Sequence, residues 1–301
     1  MDWRYLWGKT LNRSLPIREK FRSMIAGEGM IVAPGCYDAL TATLIDRAGF
    51  EAAYMTGAGT AVAKGLPDYG LMTMTEMVAN ASTIVEAIAI PLIADADTGY
   101  GNELNVTRTI RTYERAGVAA IHIEDQGFPK KCGHLDDKEI IPLDDFLAKI
   151  RAAAAAKIDP NFTIIARTDA RAEMGLEEAI LRANASLEAG ADIAFVEAPQ
   201  TKDELRAVPQ EVNGPCLFNY VEGGKTPDID MQQAQAFGFK IAILPGILLR
   251  NVVFTCENIL TDLKTKGTLP DPNAGIGVRG IFERVGAADW DELRDKFTSD
   301  K

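Results

Sequence analysis

Histidine and cysteine are scarce in this chain, with 2 and 4 copies among 301 residues. The cysteines, Cys36, Cys132, Cys216 and Cys256, show no CxxC spacing. That argues against a zinc site and against a disulfide framework, so they read as reduced thiols in a cytoplasmic setting. Long apolar runs are missing too, which excludes a membrane-spanning helix. The alanine-rich IRAAAAAKI is short, is flanked by charge, and reads as the middle of a soluble helix. The opening segment MDWRYLWGKTLNRSLPIREKF lacks the apolar core of a signal peptide. Basic residues are outnumbered, 32 Lys and Arg against 43 Asp and Glu, for a net charge of −11. A chain this acidic offers no footprint for nucleic acid. Small anions remain possible ligands, through a locally positive site or a divalent cation.

Apolar residues are plentiful, at 47%. The length suits one large α/β barrel or two ordinary domains. Four segments repeat a pattern: RAGFEAAYMTG, RAGVAAIHIED, EAGADIAFVEA and AFGFKIAILPG. In each, a helical stretch runs into a glycine (Gly49, Gly117, Gly190, Gly238), and a short apolar run follows. A glycine there fits a left-handed helix C-cap. The apolar run fits a strand buried on both faces, as in parallel sheets. GMIVAPG, IPLIADAD, FTIIARTD and PCLFNYVE complete a set of strands near residues 30–34, 52–56, 91–96, 119–124, 163–168, 193–197, 216–220 and 240–245. Eight β/α units predict a (β/α)8 TIM barrel spanning 1–301 as a single domain. Residues 1–28 form an N-terminal helical segment, and 271–301 a C-terminal helical extension. A doubly wound open sheet is the competitor, but APGCYDAL is not its usual GxGxxG phosphate loop.

Polar residues end most of these runs: Thr56, Asp95 and Asp97, Glu124, Arg167 and Asp169, Glu197, and Asn219 and Glu222. In a barrel they share one mouth, where barrel enzymes place their chemistry. ADADTGYG sets Asp95 and Asp97 two apart, so that strand alternation points both carboxylates one way. Glu124 adds a third, and Asp68 in GLPDYG a fourth from a loop. Oxygen ligands without a nearby histidine suit Mg²⁺ or Mn²⁺ better than zinc. Arg167 can grip a carboxylate through two hydrogen bonds, or form a structural ion pair with Glu124 or Glu197. Thr56 and Asn219 offer neutral hydrogen bonds to the same anion. His122, inside its strand, is expected in the core or behind a ligand.

The segment GFPKKCGHLDDKE reads as a lid over the mouth. Lys130, Lys131 and His134 beside Cys132 are expected to lower its thiol pKa, tuning it as a nucleophile or as an acid/base.

At this point the motifs converge. The chain resembles the isocitrate lyase and phosphoenolpyruvate mutase superfamily, through KKCGH together with DADTGYGN, GLPDYGL, IHIEDQ, IIARTDA and EGGKTP. The resemblance runs from about Ile31 to Lys264. It implies a barrel whose last helix is exchanged between paired subunits of a homotetramer, with GIFERVGAADWDELRDKF as candidate for the exchanged and following helices. By position, Asp95 contacts Mg²⁺ directly, while Asp68, Asp97 and Glu124 hold its waters. Thr56, Gly57 and Ala58 bind the keto-acid carboxylate. Arg167, Glu197 and Asn219 hold the other carboxylate, and Lys131, Gly133 and His134 face the substrate from the lid. Cys132 is the proton donor. Tyr54 or a metal-bound hydroxide removes the hydroxyl proton. Thr56 stands where the family often has serine.

The implied activity is scission of a carbon–carbon bond in a 2-hydroxy acid, leaving pyruvate or glyoxylate and a second carboxylate. Among substrates, 2,3-dimethylmalate is favoured. Phe195, Pro245, Ile247 and Leu248 either form an apolar rim that would suit a methyl-bearing acid or belong to the core. Cleavage of 2-methylisocitrate is an alternative, although that branch usually reads KRCGH. Oxaloacetate hydrolysis is another, although Asp228 stands where those enzymes carry serine. Isocitrate cleavage usually goes with a longer chain, phosphoenolpyruvate or phosphonopyruvate chemistry needs no thiol, and a silent dicarboxylate-binding barrel would not need the whole set.

Overall fold

The computed structural model describes residues 10–135, 138–267 and 276–298. Eight parallel strands follow one another round a closed barrel: β1 (Ile31–Cys36), β2 (Ala53–Met55), β3 (Leu92–Asp95), β4 (Ala120–Glu124), β5 (Thr163–Thr168), β6 (Ile193–Val196), β7 (Cys216–Asn219) and β8 (Ile241–Leu244). β8 pairs back onto β1, with Ile31 opposite Ile241. Closure excludes the open doubly wound sheet, and the fold is a (β/α)8 TIM barrel. The four cap glycines all take left-handed backbone, with φ of 84°, 88°, 111° and 109°. Each lets the chain leave its helix and turn straight into a strand, at no steric cost.

Strand alternation divides the side chains. On β6, Ala194 and Val196 point outward under the helices, while Ile193 and Phe195 point into the barrel. The interior is filled by Ile93, Ile165, Ile193, Leu217 and Ile241, and by Tyr54 and Phe195 further along their strands. Each such side chain contributes about 1.5–3 kcal/mol of burial, so the barrel is a packed core with chemistry only at its rim.

Helices α2 (Ala39–Arg47), α3 (Gly57–Ala63), α4 (Met74–Ala87), α5 (Glu103–Arg115), α6 (Leu143–Ala156), α7 (Ala170–Met174), α8 (Leu176–Glu188), α9 (Lys202–Glu211) and α10 (Met231–Phe237) connect the strands. Before them, α1 (Thr10–Ala26) closes the lower end, with Phe21 packed into the interior cluster. After β8 come α11 (Ile247–Lys266), α12 (Val278–Arg284) and α13 (Ala287–Thr298), none of which buries a residue. Residues 1–9 of the expected N-terminal helical segment lie outside the described residues, as do 268–275 and 299–301 at the other end. Among the described residues, no helix is long and apolar enough to cross a membrane.

Candidate active site

Asp95, Glu124, Arg167 and Asn219 lie at the carboxyl ends of β3, β4, β5 and β7, and Glu197 follows β6. All are buried. Glu124 and Arg167 face each other across paired strands, as do Asp95 and His122. Two residues further down, the same inward register carries Ile93, Ile165, Phe195 and Leu217, with His122 below Glu124 the polar exception, so strand alternation lifts these groups to the mouth.

Asp95 is held from three sides. Its Oδ2 accepts from the Gly57 N–H at 3.1 Å, and its Oδ1 accepts from the Asp97 N–H at 2.9 Å. His122 Nε2 is 3.5 Å from Oδ1. A Cβ on Gly57 would lie 2.3 Å from Oδ2, so only glycine permits this approach. Burial would raise the Asp95 carboxyl, but His122, Lys130 and Arg167 outweigh it and hold it at about 2. Burial pushes His122 down to about 4 against the pull of Asp95, so the ring is neutral at pH 7. The pull that survives at neutral pH is that of Lys130 and Arg167. His122 Nε2 also meets the Tyr54 hydroxyl at 2.9 Å, and its ring meets Phe195 edge-on at 5.6 Å.

Asp97 reaches the mouth for a different reason than expected. β3 ends at Asp95, and Asp97 lies beyond it in left-handed backbone with φ 46°. A turn, not the pleat of a strand, sets its direction. Its Oδ1 is 2.8 Å from Lys130 Nζ, which also donates to Asp68 Oδ1 at 2.7 Å. Burial raises the Asp97 carboxyl to about 6 despite Lys130. Glu124 is fully buried, and neither of its oxygens has a hydrogen bond. Arg167 Nη1 is 3.4 Å from Oε2. Burial pushes this carboxyl well up against the pull of Arg167 and Lys130.

These residues fit a hard divalent cation. The donors are carboxylate oxygens, one buried carboxylate lacks hydrogen bonds, and an ammonium already sits between Asp68 and Asp97 as a cation would. Among the described residues, no three His, Cys, Asp or Glu side chains converge tightly enough to enclose an ion by direct bonds. The set therefore suits an ion that keeps several waters, as Mg²⁺ does, with the acids gripping partly through them.

Arg167 faces the opposite side of the mouth. Its guanidinium makes two bonds to Asp169, Nε to Oδ2 at 2.9 Å and Nη2 to Oδ1 at 3.0 Å. Its Nη2 is 3.8 Å from Glu197. The bidentate grip expected for a substrate carboxylate is thus taken by Asp169, and only the outer edge of the fork faces the mouth. Asn219 Nδ2 donates to both Glu197 oxygens, at 3.2 and 3.1 Å. His134 Nδ1 accepts from the Lys225 N–H at 3.0 Å, which puts its proton on Nε2, 3.1 Å from Glu197 Oε1. Burial would raise Glu197, but Arg167, His134 and Asn219 hold it well below the usual carboxylate range. Glu197 is an ionised organiser, not an acid.

The lid lies closed over these groups. A Cβ on Gly133 would fall 2.2 Å from Arg167 Nη2 and 2.5 Å from Glu197 Oε1. Lys131 joins the lid to its stem through its backbone N–H and carbonyl, both bonded to the Gln126 side chain. Closure reverses the expectation for Cys132: burial raises its thiol, with Asp68 and Glu197 adding to the rise. Lys130 turns into the carboxylates and the His134 ring pairs with Glu197, so that of these two only the His134 backbone N–H pulls the thiol down, against the larger effect of burial. The thiol keeps its proton at neutral pH.

Phe195 is fully buried below Arg167, whose guanidinium carbon stands 5.1 Å from its ring centre. It is a floor beneath the site, not a rim. Pro245 follows β8 and packs its carbonyl toward Gly35, where a Cβ would lie 2.3 Å away, and Ile247 and Leu248 open α11 at the same end of the barrel. Tyr54 is buried, its hydroxyl 2.9 Å from His122 Nε2, and burial pushes its phenol well above its ordinary value. Thr56 caps α3, its hydroxyl accepting from the Gly59 N–H at 3.2 Å, with Gly57 and Ala58 opening the helix behind it.

A second layer escaped the sequence. Asp125 accepts from Thr168 Oγ1 at 2.7 Å, from the Asp169 N–H at 2.8 Å and from Arg182 Nη1 at 3.1 Å. The one available signal was its place directly after Glu124. Burial raises it to about 6, Asp169 adding to the rise.

The family model described as phosphoenolpyruvate phosphomutase matches residues 21–264. The chain belongs to the phosphoenolpyruvate mutase/isocitrate lyase superfamily. It is 46% identical over 258 residues to a 2,3-dimethylmalate lyase of Eubacterium barkeri, covering 85% of this chain and 88% of that one. It is 43% identical over 281 residues to a 2-methylisocitrate lyase of Aeropyrum pernix, covering 93% and 90%. Among solved structures, an oxaloacetate acetylhydrolase in complex with the inhibitor 3,3-difluorooxalacetate superposes with a TM-score of 0.90. That protein is 37% identical, with 94% of this chain and 97% of the other covered.

Proposed function

We propose that this member of the superfamily is a carbon–carbon lyase. It cleaves a 2-hydroxy di- or tricarboxylate, with an alkyl-substituted malate such as 2,3-dimethylmalate as the best-fitting substrate. The observation that carries the reading is the closed lid, which sets a protonated thiol beside a mouth divided into a carboxylate-rich half and an arginine half. Relatedness to the Eubacterium barkeri enzyme favours dimethylmalate over methylisocitrate, 46% identity against 43%. Its margin is small, so 2-methylisocitrate is the second reading. Asp228 in the EGGKTPD segment weighs against oxaloacetate hydrolysis.

The residues divide the work. Asp95, with Asp97, Asp68 and Glu124, would hold Mg²⁺ or Mn²⁺. Such an ion would supply positive charge that lowers the pKa of a 2-hydroxy acid's hydroxyl. Thr56 and the turn into α3 border the same half. On the other half, the outer edge of Arg167 meets the second carboxylate, with the Asn219 amide behind it holding Glu197. The hydroxyl proton passes to a base, hydroxide or Tyr54, and as the C2–C3 bond breaks its electron pair passes to the departing carboxylate fragment as an enediolate. Arg167 stabilises that charge as it develops. Cys132 then gives its proton to carbon, and the raised thiol suits a donor better than a nucleophile. The lid keeps water from delivering that proton instead.

Association belongs to the same proposal. α11 exposes Val252, Val253, Phe254 and Leu260, and α12 exposes Ile281 and Phe282. Such faces suit exchange of the last helices between paired subunits of a homotetramer in the cytoplasm.

The test is pyruvate release with Mg²⁺ over 2,3-dimethylmalate, 2-methylisocitrate, isocitrate and oxaloacetate. Turnover is expected with dimethylmalate first, and Cys132→Ser should lower it by about 10²–10⁴-fold. Full turnover in that variant would remove the thiol from the mechanism.

A further inference from the structure

Lys138 stands on the far stem of the lid, apart from the groups assigned to metal, substrate and proton transfer. Its side chain is fully buried. The ammonium donates to the Gly133 carbonyl and, at 3.1 Å, to Asp169 Oδ1. Gly133 adjoins Cys132, and Asp169 is the carboxylate that takes the Arg167 fork. One cation therefore joins the backbone beside the thiol to the acid that orients the guanidinium.

The catch for this contact is rigid. Asp125 fixes the Asp169 backbone at 2.8 Å and is itself fixed by Thr168 and Arg182. Both stems of the lid are pinned as well. Gln126 and Ile140 form an antiparallel bridge, the Gly127 N–H donates to the Glu139 carbonyl at 2.7 Å, and the Ile141 N–H donates to the Asp125 carbonyl at 2.9 Å. Between pinned stems, Lys130 and His134 land on groups assigned to metal and substrate, whereas Lys138 lands on a support. A buried ammonium is costly unless its protons find acceptors. The Gly133 carbonyl is such an acceptor only when the lid tip has come in.

We infer that Lys138 is a positioning residue that latches the lid, so that closure of Cys132 over the mouth and orientation of Arg167 by Asp169 form a single event. The catalytic consequence rests on the lyase reading, and the latch itself does not. Loss of the ammonium leaves Asp169 paired with Arg167, so the barrel should tolerate it.

The experiment is alkylation of Cys132 by iodoacetamide in the full chain, read by peptide mass mapping, for the wild type, Lys138→Met and Lys138→Arg. An added free-thiol peptide reports reagent strength, while Cys36 and Cys216 are buried and report unfolding. Labelling of Cys132 should rise about 10-fold or more in Lys138→Met, with Cys36 and Cys216 still protected. Lys138→Arg should restore most of the protection. With the best substrate, kcat in Lys138→Met should fall about 100-fold while KM moves only a few-fold, as expected for a misplaced donor. An unchanged Cys132 rate in Lys138→Met would overturn the latch. Should that variant also label Cys36 and Cys216, Lys138→Gln decides: faster Cys132 labelling supports the latch, and the wild-type rate overturns it. Failure of every substrate would sink the lyase reading and leave the labelling result standing. Turnover with an unchanged labelling rate would do the reverse.

Discussion

Arg18 at the lower end of the barrel is as buried as Arg167 at the mouth, 2% against 7% exposed, yet their surroundings differ. Arg18 donates to the Val118 carbonyl at 2.9 Å, to Asp159 at 3.2 Å and to the Glu114 carbonyl. The Glu114 carboxylate nearby accepts from the Ile158 N–H at 3.1 Å. At the mouth, Glu124 lacks hydrogen bonds at both oxygens, and Asn219 Oδ1 and His122 Nδ1 lack theirs. Among the described residues, every buried side-chain polar atom without a hydrogen bond lies at the mouth or in the loops over it, and none at the lower end. Burial with full pairing builds stability, whereas burial with orphaned atoms stores affinity for something that binds.

The contrast can be broken from either end. Arg18→Ala strands the buried Asp159 and should cost about 3–5 kcal/mol of stability. Urea unfolding measures that, and kcat of the folded fraction should stay unchanged. A loss of activity with intact stability would mean that the lower end is not purely structural. Glu124→Gln is the smaller effect and has the opposite sign. Burial raises this carboxyl in the fold, so its ionisation at pH 7 opposes folding. A neutral amide should therefore stabilise by about 1 kcal/mol at pH 7. The gain should disappear as pH falls through the ordinary carboxylate range near about 4.3, where the glutamate is protonated folded or not. Activity should be lost while Tm rises, and destabilisation at pH 7 would contradict the picture of an unmatched carboxylate.

Those same two ends mark what the sequence could reveal. The barrel was legible because its signals are local: a glycine cap, then a buried run, with Gly49, Gly117, Gly190 and Gly238 left-handed as read. Asp95, Glu124, Arg167 and Asn219 were legible because strand ends lie beside their own apolar runs. What failed depends on distant contacts. Lys130 meets Asp68, 62 positions away, and no local pattern announces that it turns from Cys132. Cys132 itself is raised by enclosure, which neighbouring charges in sequence do not reveal. For Phe195 the core alternative holds, since strand alternation puts Ile193 and Phe195 on one inward face. Asp97 was placed correctly for a wrong reason, a strand where there is a turn.

Oxalate, a flat mimic of a pyruvate enolate, offers the most direct probe of the divided mouth. Calorimetric titration with and without Mg²⁺ should show binding only when the ion is present, because the acids around Asp95 repel a dianion until a cation intervenes. Equal binding of oxalate after chelation of all divalent metal would contradict a metal-centred site.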